Sequence, residues 1–444
     1  MSEYATAGAC TNRPLIAISG ALASVRAVSH HARALQRGGL PRPTAIGLGA
    51  VASALALALA GCGKTSTEQS GTDAGVETVV LHTGAAGTAA TATRNTTRLG
   101  GAGPVATASA VARTAYPGLT ADTRPQAIAI ADIHSWPEAL VASALASAPL
   151  GAPLLYAVGH SLPRASDLAL RAMHPTGAST LGGVQLILLG ASIEAPAGYR
   201  ARGTVPADAY SLAVSVAKLL SIARGTSPRQ VIVVAADGPP ALAMPAAGLA
   251  AQSGAPILFV SSAGVPAATA AELSSLGRPS IYTVGSTAIG ERTLAELRRF
   301  GPVTRAEVHS GEDATPVGNA IAVARFADGS FGWGVREPGH GLVFVGATRP
   351  FDAPAAAILS ATGDYAPLLL LNDPTGVPRV LSTYLSNIRP ASPQSQPVKG
   401  VYNHGWLIGD EHAISASTQA ELDAALEIVP HAAPSEESSS LPVE

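Results

Sequence analysis

Cysteine is nearly absent from this 444-residue chain, which holds only Cys10 and Cys62. Two thiols exclude a disulfide framework, all the more in a processed chain that keeps one of them. Charge is sparse too, at 13% of residues with a formal net charge of −2. That balance excludes bulk attraction to nucleic acid or to an anionic membrane surface. Histidines 134, 160, 174, 309, 340, 404, 412 and 431 show neither His-x-x-x-His nor His-Glu-x-x-His spacing, so a zinc site has no support. Gly159-His160-Ser161-Leu162-Pro163 falls short of a nucleophile elbow, because proline stands where the turn needs glycine. Gly61-Cys62-Gly63-Lys64-Thr65 has the end of a phosphate loop but Ala58 in place of its first glycine, with no strand before it. No catalytic residue, metal or cofactor is therefore expected, and the chain does not read as an enzyme.

What is present is apolar residue and repetition. Hydrophobic residues make up 47% of the chain, enough for an ample core and far from the disordered class. Gly-Ala-Pro-Leu-Leu-Tyr (151–156), Gly-Ala-Pro-Ile-Leu-Phe (254–259) and Tyr-Ala-Pro-Leu-Leu-Leu (365–370) share one pattern. Their prolines, Pro153, Pro256 and Pro367, lie 103 and 111 positions apart. A period of that size points to repeated units.

The period extends beyond these six residues. Before each copy stands an apolar run of strand length, Ala127–Ala131, Val231–Ala235 and Leu342–Gly346. A helix of small residues then begins near Ala139, Ala241 and Ala353, which precede the three prolines by 14, 15 and 14 positions. Another apolar run closes each unit, at Leu186–Gly190, Ile281–Gly285 and Trp406–Gly409. Each unit opens on a glycine turn and a helix, predicted at Ala106–Arg113, Ala207–Ala223 and Pro316–Arg325. Strands and helices alternating through short loops predict an α/β fold: parallel sheets with crossover helices, in three tandem units of about a hundred residues. Unit three carries two longer loops, Ala327–His340 and Asn387–His404, edged by aromatics. Of Trp136, Trp333 and Trp406, which read first as core, Trp333 in its glycine-rich loop is the best placed to stack on a sugar.

The N-terminus has a different character. Five arginines and one acid, Glu3, precede the apolar run Ile46–Ala60, whose fifteen residues suit a signal-peptide core and fall short of the ~20 of a membrane span. The run ends Leu59-Ala60-Gly61-Cys62, which resembles a bacterial lipobox. The resemblance implies cleavage before Cys62, a diacylglyceryl group on its thiol and an anchor in the cytoplasmic membrane. Loss of residues 1–61 leaves 23 bases against 29 acids, a charge near −6. Residues 62–93, rich in Gly, Thr, Ala and Ser, read as a flexible tether, and residues 430–444 as a disordered tail.

Three units in this order resemble the cell wall-binding repeat 2 family. The likeness rests on Arg98-Leu99-Gly100-Gly101 with Thr107-Ala108, on Asp352-Ala353 and on Pro256-Ile257-Leu258, and it spans about residues 94–429. It implies Toprim-like modules at 94–197, 198–303 and 304–429, packed about a pseudo-threefold axis. It also implies non-covalent attachment to cell-wall polymer, an anionic polysaccharide or one linked to peptidoglycan, on the outer side of the membrane. By family analogy the polymer would meet Leu154, Leu155, Tyr156, Ile257, Leu258, Phe259, Leu368, Leu369 and Leu370. The residues themselves read as central strands, buried on both faces. The arginine that usually opens such modules is missing from all three, where Gly103-Pro104-Val105, Asp208-Ala209-Tyr210 and Asp313-Ala314 stand. A phosphate or carboxylate would there lack its natural bidentate partner. The competing class is a solute-binding lipoprotein of a transporter, for which two lobes closing on one ligand are expected.

Overall fold

Short apolar runs that can be buried on both faces become the centres of three parallel sheets. The computed structural model describes residues 79–82, 89–190, 193–204, 206, 208–307, 314–362, 365–393 and 401–431. The expected signal peptide, Cys62 and the tail beyond residue 431 lie outside the described residues. In the first sheet β4 (Ile128–Asp132) lies between β5 (Leu154–Ala157) and β6 (Leu186–Leu189), and β7 (Ala201–Thr204) follows β6. The second sheet repeats the order with β8 (Gln230–Ala235) between β9 (Ile257–Val260) and β10 (Ser280–Thr283), then β11 (Val303–Arg305). In the third, β14 (Gly341–Gly346) lies between β15 (Leu368–Leu371) and β17 (His404–Ile408).

The fourth strand of the third sheet comes from the other end of the chain. It is β3 (Thr96–Leu99), parallel to β17 with Arg98 opposite Leu407. This moves the boundaries expected from the period. Ala201–Thr204 and Val303–Arg305 close the sheet before them, the first lying wholly past the expected boundary at 197 and the second straddling the one at 303. Thr97–Gly101, expected to open unit one, holds the strand that completes the sheet of unit three. The residue period marks the repeats but not which sheet an edge strand joins, since backbone hydrogen bonds decide that and carry no side-chain pattern.

The expected tether is also corrected in part. β1 (Val79–His82) and β2 (Ala89–Ala92) form an antiparallel hairpin that extends the third sheet from β3. The reason is that β3 offers an open row of backbone donors and acceptors, which a nearby segment of β-branched and small residues can satisfy. Within the two longer loops, β12 (Ala327–Asp328) pairs with β13 (Phe331–Gly332), and β16 (Ala391–Pro393) pairs with β18 (Val429–His431), which takes the first two residues of the expected tail.

Three helices of small residues fill the centre. Trp136–Ala142 with its 3₁₀ extension to Ala146, Pro240–Ser253 broken at Met244, and Asp352–Ala361 broken at Ala357 each touch the other two. Alanine allows this close approach, and Ala139, Ala142, Ala246, Ala247, Ala250, Ala353, Ala355 and Ala356 are all buried there. A Cβ at Gly248 would lie 2.9 Å from Ser360 Oγ, so a larger residue where these two helices cross would force Ser360 to shift. The contacts run in one direction around the centre. Trp136–Ala142 packs on the helix Ala209–Arg224, Pro240–Ser253 on Pro316–Arg325, and Asp352–Ala361 back on Pro104–Ala115.

Candidate functional site

In each sheet the chain leaves the central strand for one neighbour and then crosses to the other side. The carboxyl ends of β4 and β6, β8 and β10, and β14 and β17 therefore flank three switch points, where open α/β sheets form crevices for ligands. At each switch point a glycine ends the second strand's run. Gly190, Gly285 and Gly409 have φ of 122, 71 and 108°, which side-chain-bearing residues avoid. Space forbids a side chain as well: a Cβ at Gly285 would lie 2.9 Å from Leu242 O, and one at Gly409 2.5 Å from Ala413 Cβ.

The crevice groups are mostly acidic. At the first, Asp132 accepts from the backbone and Nδ1 of His134 at 3.0 and 2.7 Å, and Glu138 stands in the first turn of the following helix. Burial, then the charge of Asp132, pushes the Glu138 carboxyl up. At the second, Asp237 accepts from Ser262 N and Oγ at 3.0 and 2.6 Å, and these bonds, the hydroxyl's first, hold its pKa below the usual value. At the third, Asp352 is fully buried and its Oδ2 accepts from Arg349 Nε at 2.5 Å. Burial raises Asp352 to about 6 against the opposing pull of Arg349. Asp132, Glu138 and Asp237, which are at least partly exposed, can accept hydrogen bonds from hydroxyl or ammonium groups, whereas buried Asp352 serves Arg349. Among the described residues no three His, Cys, Asp or Glu side chains group as a metal site.

The nine residues expected to meet polymer lie elsewhere. Leu154, Leu155, Tyr156, Ile257, Leu258, Phe259, Leu368, Leu369 and Leu370 are all at most 3% exposed, in β5, β9 and β15. They stand at the edges of their sheets and not at the centres expected, yet their side chains do not reach a surface, because helices cover these strands on both faces. Several join neighbouring sheets instead. Tyr156 Oη donates to Phe351 O at 2.5 Å and its ring meets Phe351 edge-on at 5.7 Å, while Phe259 meets Trp136 edge-on at 6.3 Å. The backbone of the repeat is held alike in two copies: Ser166 Oγ and Thr269 Oγ1 each donate at 2.7 Å to the carbonyls of Tyr156 and Phe259. Trp333 is half-buried, and its indole N–H donates to Tyr365 O at 2.7 Å.

The fold itself has precedent. It is similar to that of Cwp6 from Clostridium difficile. The TM-score is 0.60 at 17% identity, over 79% of this chain and 51% of Cwp6. The chain thus spans about half the length of Cwp6, and at this identity the likeness to Cwp6 is one of fold. No family model matches the chain, and no curated protein matches its sequence.

A set of residues that local motifs did not reveal lines a pocket between β11 and the helices Pro316–Arg325 and Arg379–Asn387. Arg305, Glu307, Arg325 and Arg336 meet there from separate segments. No run in the sequence marks it, because Arg305, Arg325 and Arg336 are interleaved with Glu307, Glu312, Asp313, Asp328 and Glu337.

Proposed function

We propose that this is a non-catalytic envelope protein, anchored through lipid on Cys62, that binds cell-wall polymer through three copies of one α/β unit arranged about a pseudo-threefold axis. The observation that carries the reading is the closed sequence of contacts: three sheets of one strand order, with central helices that pack in one direction and β3 completing the third sheet. A two-lobed solute-binding protein is not favoured, since it has no place for a third equivalent sheet. Fold likeness to Cwp6 from Clostridium difficile, taken with the resemblance of the three units to cell wall-binding repeat 2 modules, supports location outside the cytoplasmic membrane and against the wall. The accessible acids of the first two crevices, Asp132, Glu138 and Asp237, suit sugar hydroxyls better than phosphates. Binding then works by avidity, weak contacts at linked sites reinforced by an anchor that raises local concentration.

Co-sedimentation of the soluble chain from residue 63 with purified wall sacculi tests this. Enrichment over an unrelated protein of similar charge is expected. Absence of enrichment from sacculi of several Gram-positive and Gram-negative sources overturns the binding claim.

A further inference from the structure

The pocket between β11 and the third unit's helices has a volume of about 330 Å³, within the roughly 300–1,000 Å³ of small-molecule sites. Its walls carry an unusual balance. Arg305 is already ion-paired with the exposed Glu291. Arg325 and Arg336 have no acidic partner among the described residues. Arg336 Nη2 donates at 3.5 Å to the carbonyl of Arg325, and the Arg325 guanidinium lies 4.8 Å from the centre of the Tyr384 ring. Two guanidiniums without an acidic partner among the described residues thus line one hollow, and their planar forks suit a carboxylate.

Glu307 lines the same pocket and is only 7% exposed. Its Oε1 accepts from Ser286 N at 2.9 Å, but its buried Oε2 has no partner among the described residues. A buried acceptor left without a donor is costly and calls for one that the described residues do not supply. Ile321, Phe326 and Val380 supply apolar wall between these polar groups.

We propose that this pocket binds a small carboxylate that also carries a hydrogen-bond donor, amino or hydroxyl, with the carboxylate on Arg325 and Arg336 and the donor on Glu307 Oε2. The assignment does not depend on wall binding, since it uses none of the crevice residues.

Isothermal titration of the soluble chain with three matched achiral probes tests it: 2-aminoisobutyrate, 2-hydroxyisobutyrate and isobutyrate. At pH 8, where Glu307 is ionised, at least one of the first two is expected to bind about tenfold tighter than isobutyrate, as a charge-assisted hydrogen bond implies. Which of the two binds tells an amino ligand from a hydroxyl ligand. Arg336→Gln, at an exposed position, is expected to weaken that probe about tenfold without altering the melting temperature, and Glu307→Gln to reduce its advantage over isobutyrate. Failure of both donor-bearing probes to bind at millimolar concentration overturns the proposal. So does equal binding of isobutyrate, or binding unchanged in Arg336→Gln. Wall co-sedimentation of Arg336→Gln should be unaffected, which separates this claim from the proposed function.

Discussion

Arg98 donates from Nε and Nη2 to Gln419 Oε1 at 3.1 and 2.9 Å, across 321 residues of sequence. The same guanidinium reaches the carbonyl of Asp410 at 2.9 Å, and Arg98 is only 5% exposed. Nearby, Asp423 accepts from Asn95 N at 2.7 Å. These bonds fasten β3 to the helix Ala416–Ala425, so residues far apart in the chain stabilise one sheet. Arg98→Ala should cost about 2–3 kcal/mol, since it removes a buried charge-assisted pair and leaves Gln419 without those donors. Urea denaturation of Arg98→Ala, Gln419→Ala and the double variant would measure it, with a coupling of about 1–2 kcal/mol expected between the two. Simple additivity would show that the closure is not held by this contact.

That closure also shows where the sequence was readable. β4, β8 and β14 were legible because each must be apolar on both faces, which leaves a mark in composition. Helix positions followed as well: the expected Pro316–Arg325 is the observed helix, and Ala106–Arg113 lies within Pro104–Ala115. The edge strands Ala201–Thr204 and Val303–Arg305 left no such mark, being half-exposed and joined by backbone bonds. The crevices follow from topology, which the strand order decides and the residue pattern does not. The arginine pocket draws on positions from 305 to 380, too scattered for any motif to announce it.

The repeated strand residues should behave as core. Leu155→Ala, Leu258→Ala and Leu369→Ala each remove a fully buried side chain and should cost about 2–5 kcal/mol. Wall co-sedimentation of the folded fraction should stay unchanged. A loss of binding with unaltered thermal stability would return these residues to the ligand surface.

The lipobox reading makes a prediction about compartment. Cys62→Ser removes the thiol that would carry the diacylglyceryl group, so the protein should move from the membrane to the soluble fraction of its host. Intact mass of the native protein should begin at Cys62 with the lipid attached. Equal membrane partition of Cys62→Ser would remove the anchor from the proposed mechanism.

Tyr365 has φ 48° where the other two copies of the repeat have Gly151 at 55° and Gly254 at 73°. A left-handed conformation costs a side-chain-bearing residue roughly 1–2 kcal/mol, against about 0.5–1 kcal/mol for the added chain entropy of glycine. Tyr365 is 57% exposed, so little packing is lost on truncation. Tyr365→Gly should therefore leave stability unchanged or raise it by up to about 1 kcal/mol, read from the urea midpoint. A clear loss would mean that the ring makes contacts worth more than the strain.

Two buried carboxyls set the response to pH. Burial pushes Glu307 up to about 7 and Asp352 up to about 6, from ordinary values of 4.5 and 3.8. In the unfolded chain both lose their protons near the ordinary values, so between there and the raised values the folded state holds more protons. Stability from these groups is then fully present below about pH 4 and is lost as pH rises through 6 to 7. Glu138 and Glu272, raised by burial, add in the same direction; His340, lowered by burial, opposes it below neutral pH, and Asp208 and Asp237, lowered by hydrogen bonds, oppose it in more acid solution. The melting temperature should rise as pH falls from about 8 to about 5. Glu307→Gln, which cannot ionise, should flatten that slope, most strongly between pH 5 and 7. A slope identical in the variant would mean that Glu307 is not the group that takes up the proton.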